Sequence, residues 1–194
     1  EALGWVVDAV RAVSPIRLGI QIAHAGRKAS SGRPWDGGQL IPAQAGGWQP
    51  AGPSAIPHLE TEAPPHELTA DDLQELTARF VDTVERANRL GFEAVEVHAA
   101  HGYLLHQFLS PISNHRTDAY GGSAENRMRY PLEVFAAMRA AWPAQKPMGI
   151  RVSSTGRFTQ LRDEARNQSM SEILPGDENR VFYKLSVPKK VTIM

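Results

Sequence analysis

Two histidines and a tyrosine close the run Val95–Tyr103, VEVHAAHGY, at positions 98, 101 and 103. Imidazoles at this spacing admit three chemistries: metal ligation, hydrogen bonding within a core, or donation of hydrogen bonds to a substrate. Helical zinc pairs sit four residues apart, as in HExxH. Here His98 ends an alternating apolar run and His101 lies in the turn after it, with His106 further on and no cysteine in the chain. No third ligand is evident, so no metal set is assigned. Two imidazoles converging on one carbonyl or nitro oxygen would stabilise negative charge developing there, as an oxyanion hole does. A tyrosine beside them could deliver a proton to carbon as general acid. Such a site is electrophilic and needs a nucleophile or a hydride. The sequence offers no cysteine, no GxSxG and no carboxylate pair placed for glycosidic work. A bound carrier must then supply the electrons.

The elements that must position these residues follow from periodicity. Residues 2–13 place apolar side chains at helical spacing, and Ser14-Pro15 ends them. Residues 17–23 predict a strand. Thr69 caps a helix over 70–90, with Leu73, Leu76, Phe80, Val84, Ala87 and Leu90 as one stripe and Gly91 as its stop. Residues 92–98 predict a second strand. Ser123 caps a helix over 124–141, which Pro131 should kink or delay, and 147–152 predict a third strand. Residues 24–68, rich in Gly, Pro, Ser and Trp, read as a long functional loop or lid. Helix and strand alternate, so the strands should be parallel. A doubly wound sheet and a (β/α)8 barrel both fit. No GxGxxG or GxxxxGK[ST] follows a strand, which weighs against a nucleotide-binding fold.

Strand parity places Gln21, Glu96 with His98, and Arg151 opposite the aliphatic faces of their strands, near the C-terminal ends. Polar groups converging there are what a barrel active site requires. Gln21, Glu96 and Arg151 could equally satisfy one another inside a barrel. Composition narrows the partners. Basic and acidic residues balance at 21 each, and no apolar run reaches the length of a membrane span, so neither nucleic acid nor a membrane is expected as partner. The lack of cysteine accords with a cytoplasmic setting. Glu1 enters a helical pattern directly, so the segment is expected to begin inside a longer chain, with room for a targeting signal upstream.

Three stretches then carry a family resemblance: QIAHAGRKAS (21–30), HAAHGYLLHQFLSPISNHRTDAYGGSAENRMRY (98–130) and GIRVS (149–153). Together they resemble the old yellow enzymes, FMN-dependent ene-reductases. The His/His pair is similar to the bacterial xenobiotic-reductase and thermophilic-like branch, where other members carry His/Asn. The resemblance covers residues 1–155 and implies a partial (β/α)8 TIM barrel, about helix 2 through strand 5, with FMN across its C-terminal mouth. It implies that Gln21 pairs with the flavin's pyrimidine edge, for which a carboxamide both donates and accepts. Arg151, always charged, would lie beside the flavin and favour its anionic reduced form. His98 and His101 would hold the substrate's activating oxygen, and Tyr103 would be the proton donor. The implied reaction is NAD(P)H-dependent reduction of activated C=C bonds (enones, nitro-alkenes, related xenobiotics), with hydride from flavin N5 and a proton from Tyr103. Arg27, Trp35 and Trp48 of the long loop would help cover the mouth. A homo-oligomer of the full-length form is compatible with this reading.

Residues 156–194 carry no motif of that family and are read as a divergent tail: a weak helical stretch near 159–173, a Pro-Gly-Asp turn, and strand-like VFYKLSV and VTIM about Pro188. The family's phosphate grip lies after its last barrel strands, so these 194 residues alone are expected to hold flavin weakly or not at all. Two alternatives come from other classes: an inactive remnant whose tail serves interaction, and a metal-dependent barrel hydrolase using His98 and His101.

Overall fold

The computed structural model describes residues 2–153, together with the backbone of 182–186 and 190–193. Helix α1 spans Ala2–Val13 and strand β1 Gly19–Ile22. The segment that follows, expected from sequence to be a long functional loop or lid, holds three single-turn 3-10 helices at 26–28, 34–36 and 43–45. Two short strands, β2 (Ala51–Gly52) and β3 (His66–Glu67), pair in parallel within it. Buried Ser30 pins it: its hydroxyl donates to the Ile41 carbonyl at 3.2 Å and accepts from the Trp48 N–H at 2.9 Å.

Helix α2 spans Ala70–Arg89 and starts on a complete capping box. Thr69 Oγ1 accepts from the Asp72 N–H at 3.2 Å, and the Asp72 carboxylate accepts from the Thr69 N–H at 2.8 Å. Two of the helix's otherwise unpartnered N-terminal donors are thereby satisfied. Leu73, Phe80, Val84 and Ala87 of the expected stripe are buried, with Leu76 and Leu90 packed at its margin. Strand β4 is Ala94–Ala99. Next comes α3, Leu104–Leu109, in a stretch to which the sequence pattern assigns neither helix nor strand. All six of its residues are buried. Helix α4, Ala124–Ala141, is capped by Ser123 and runs unbroken through Pro131. A late start is therefore ruled out, and buried Pro131 packs within the helix.

Strand β5, Met148–Val152, completes a parallel trio in the order β1-β4-β5. Its far edge pairs antiparallel with β6 (Phe182–Ser186), which pairs antiparallel with β7 (Lys190–Ile193). A parallel barrel would have placed a further parallel strand there. The expected helical stretch at 159–173 lies outside the described residues. α2, α3 and α4 pack together, and the sheet's aliphatic face lies in the same core. Val95, Val97, Met148, Ile22 and Val152 meet Val84, Phe108, Val134 and Met138 there. The opposite face carries Gln21, Glu96, His98 and Arg151. Burial of the aliphatic face fixes that register, because a one-residue slip would exchange the two faces.

Candidate active site

Register sets the polar side chains in two rows across the open face. Gln21 lies beside Glu96, and one step nearer the C-terminal ends His98 lies beside Arg151. Gln21 Nε2 donates to Glu96 Oε1 at 2.5 Å, so part of the mutual satisfaction read from the sequence is present. The exposed carboxamide keeps its oxygen and second N–H without protein partners among the described residues.

His98 is 3% exposed despite standing on the open face. Its cover is the turn after β4. The His101 ring lies 5.0 Å from it, and Tyr103 meets it edge-on at 5.0 Å. His98 Nε2 and His101 Nδ1 face each other at 3.3 Å. One of these nitrogens must donate and the other accept. Burial pushes His98 below the ordinary histidine range, and His101 and Arg151 add to the effect while Glu96 opposes it. Burial, then Arg151 and Lys28, lowers His101 too. Both rings are thus neutral at neutral pH. The facing nitrogens are the two that would converge on an oxygen placed between the rings. His98 Nδ1 is buried without a hydrogen-bond partner among the described residues.

The turn itself is strained. His101 takes φ +58° and Gly102 φ +75°. A non-glycine residue in the left-handed region costs on the order of 1 kcal/mol and persists only when its surroundings over-determine it. The His101 N–H donates to Ser153 Oγ at 3.1 Å, and Lys28 Nζ donates to the His101 carbonyl at 2.9 Å. The Gly102 N–H donates to His106 Nδ1 at 2.7 Å, and Gln107 Nε2 donates to the Gly102 carbonyl at 2.7 Å. Tyr103 opens α3 as its N-cap but makes no side-chain capping bond, so the phenol is not committed to the helix.

The structure thus brings His98, His101, Tyr103 and Arg151 to one place, with Gln21 one row below. It adds Lys28, His106 and Gln107, to which the sequence reading gave no role at the site. Arg27 donates through Nη1 to the Ile56 and Pro57 carbonyls at 3.4 and 3.2 Å, while Trp35 and Trp48 remain exposed. Among the described residues, no three or more of His, Asp and Glu are grouped to hold a metal. His106 is turned toward Gly102. No described helix is long and apolar enough to cross a membrane.

The family model for NADH:flavin oxidoreductase / NADH oxidase matches residues 2–185. The chain belongs to that family. The match runs past residue 155, where the recognised motifs end, into the segment read as a divergent tail. An NADH:flavin oxidoreductase of Gibberella zeae is 47% identical over 155 residues, covering 76% of this chain and 38% of the relative. An NADPH dehydrogenase of Clostridium acetobutylicum is 40% identical over 156 residues, covering 79% and 41%. The chain therefore spans about two fifths of these relatives' length. Among solved structures, morphinone reductase in complex with tetrahydroNAD superposes with a TM-score of 0.66 at 31% identity, over 86% of this chain and 47% of that one. The old yellow enzyme homologue from Zymomonas mobilis gives 0.61 at 28%, over 78% and 41%. This likeness decides between the two architectures left open by strand order: the fold is part of a (β/α)8 barrel.

The family implies FMN, and the residues present suit it. The open face offers a carboxamide with a free donor and acceptor, a guanidinium, and a buried imidazole nitrogen without a partner. A flat ring with a hydrogen-bonding edge that gains negative charge on reduction matches that set.

Proposed function

We propose that this chain supplies the substrate clamp, the proton donor and part of the flavin cradle of an FMN-dependent NAD(P)H oxidoreductase that reduces activated C=C bonds. The observation that carries the reading is the cluster of His98, on the open face of β4 beside Arg151, with His101 and Tyr103 from the strained and over-determined turn that follows.

FMN, when bound, would supply the two-electron hydride chemistry between NAD(P)H and the alkene. Gln21 would hold the ring's polar edge, and Arg151 would supply a permanent positive charge beside it. An activating carbonyl or nitro oxygen enters between His98 Nε2 and His101 Nδ1. There it replaces a 3.3 Å imidazole–imidazole contact with two hydrogen bonds to itself. Each such bond, to an oxygen gaining negative charge, is worth about 1.5–3 kcal/mol. Because both rings are neutral at rest, they polarise the oxygen without a fixed charge that would hold the product. Tyr103 gives its phenolic proton to the α-carbon and recovers one from solvent. Small activated alkenes are the substrate class.

The direct test is anaerobic mixing of the full-length form loaded with FMN, the flavin-loaded protein of the tests that follow, with NADPH or NADH, followed by cyclohex-2-enone. Loss of the oxidised flavin absorbance with the nicotinamide and its return with the enone is the expected result. Bleaching that no enone, nitro-alkene or related acceptor reverses would overturn the reading. His98→Ala and His101→Ala should each weaken 4-nitrophenol binding about 10- to 100-fold.

A further inference from the structure

Gly102 lies between the second histidine and the tyrosine of the cluster, and consecutive residues of α3 grip its backbone at both polar ends. His106 Nδ1 accepts from the N–H at 2.7 Å, and Gln107 Nε2 donates to the C=O at 2.7 Å. Gln107 does more than this. Its Nε2 also donates to the Ala25 carbonyl at 3.3 Å, and its Oε1 accepts from the Arg27 N–H at 3.2 Å. Ala25 and Arg27 belong to the loop after β1, and Gly102 to the loop after β4. The carboxamide therefore spends both N–H groups and its oxygen joining two loops far apart in sequence. It does so from a side chain only 1% exposed, so no water competes for those bonds. The β1 loop accommodates it closely: a Cβ added to Gly26, at φ +62°, would lie 2.4 Å from Gln107 Nε2. The same loop carries Lys28, whose ammonium holds the His101 carbonyl at 2.9 Å. A backbone bond from the Leu104 N–H to the His24 carbonyl at 2.9 Å runs alongside.

We propose that Gln107 is a positioning residue for the oxygen clamp. Its buried carboxamide locks the β1 loop to the β4 loop and so fixes the His101 ring against His98. The proposal rests on the functional reading above for what the clamp binds, but the coupling of the loops stands on the geometry alone. Without Gln107's bonds, the left-handed pair His101–Gly102 loses a restraint that keeps it from relaxing. The Lys28 loop is then free to move independently of the rings it braces.

Two variants of the flavin-loaded protein test this. Gln107→Met keeps the side chain's length and volume but removes all three hydrogen bonds. Gly26→Ala leaves Gln107 intact and pushes it off its partners. In both, hydrogen exchange should rise in peptides covering 24–30 and 100–105 together, with β4 and α2 unchanged. Affinity for 4-nitrophenol should fall about tenfold, and affinity for FMN should hold. A merely structural amide would instead loosen the chain generally, or leave 4-nitrophenol binding at the wild-type value. Either outcome, or a rise confined to one loop, overturns the proposal. If Gln107→Met does not fold, Gly26→Ala decides alone. Should the wild-type protein itself fail to bind 4-nitrophenol, the functional reading falls, while the paired exchange response still decides whether Gln107 couples the loops.

Discussion

Replacing His98 with leucine separates a working residue from a packing residue, because the two predict opposite balances of stability and binding. The side chain is 3% exposed, and among the described residues its Nδ1 has no partner while its Nε2 makes one long contact at 3.3 Å. An unsatisfied buried polar atom costs about 1–3 kcal/mol. Leucine removes that cost. It forfeits a weak hydrogen bond of about 0.5–1 kcal/mol and the edge-on contact with Tyr103, about 0.5–1.5 kcal/mol. These terms nearly cancel, so His98→Leu should leave the free energy of unfolding unchanged or raise it by about 1 kcal/mol. Binding should respond in the other direction, with 4-nitrophenol affinity falling about 10- to 100-fold. Urea unfolding followed by circular dichroism at about pH 7.5, where the rings are neutral, gives the first quantity, and ligand titration of the flavin-loaded protein gives the second. A stability loss above about 3 kcal/mol with binding intact would make His98 a core residue and refute the reasoning.

Stability should also drain as the medium is acidified below the ordinary histidine value of 6.5, because His98 and His101 are both held below it in the folded state. The unfolded chain then binds more protons, so this contribution is complete above 6.5 and is lost as pH falls from there through the lowered folded-state values. Urea midpoints measured across that range should fall toward acid, less steeply in His98→Leu. Thr69→Ala should cost about 1 kcal/mol by breaking the α2 capping box, read as a lower melting temperature. The Asp72 half of that box adds its own acid limit. Its carboxyl is held at about 2, chiefly by the Thr69 N–H and then by His66, so its support is present above 3.8 and lost as pH falls toward 2.

Local signals were strong where a face is half buried. α2 was readable from Thr69 through Gly91 because its stripe alternates with charge and its cap is a short-range pattern. Strand parity likewise placed Gln21, His98 and Arg151 on one face, since β-branched neighbours force the other face inward. α3 was missed for the complementary reason. LLHQFL is buried on every side, so it shows no polar face and no period. Its one readable signal was His106 and Gln107 inside an otherwise apolar run, since polar groups buried there must have partners. Those partners are backbone atoms of two distant loops, which sequence spacing does not encode. At Pro131 the propensity rule favours a helix boundary, but tertiary burial carries α4 through it. The β2–β3 pairing was hidden because two-residue strands in a Pro- and Gly-rich segment have no periodicity.

The central claim is that the β4 turn delivers a proton to an alkene whose oxygen it holds. Tyr103→Phe in the flavin-loaded protein tests it most directly, with both half-reactions followed by stopped-flow absorbance. Flavin reduction by NAD(P)H should be unchanged, and flavin reoxidation by cyclohex-2-enone should slow by about 10²–10⁴. Reoxidation at the wild-type rate, or equal slowing of both halves, would contradict it.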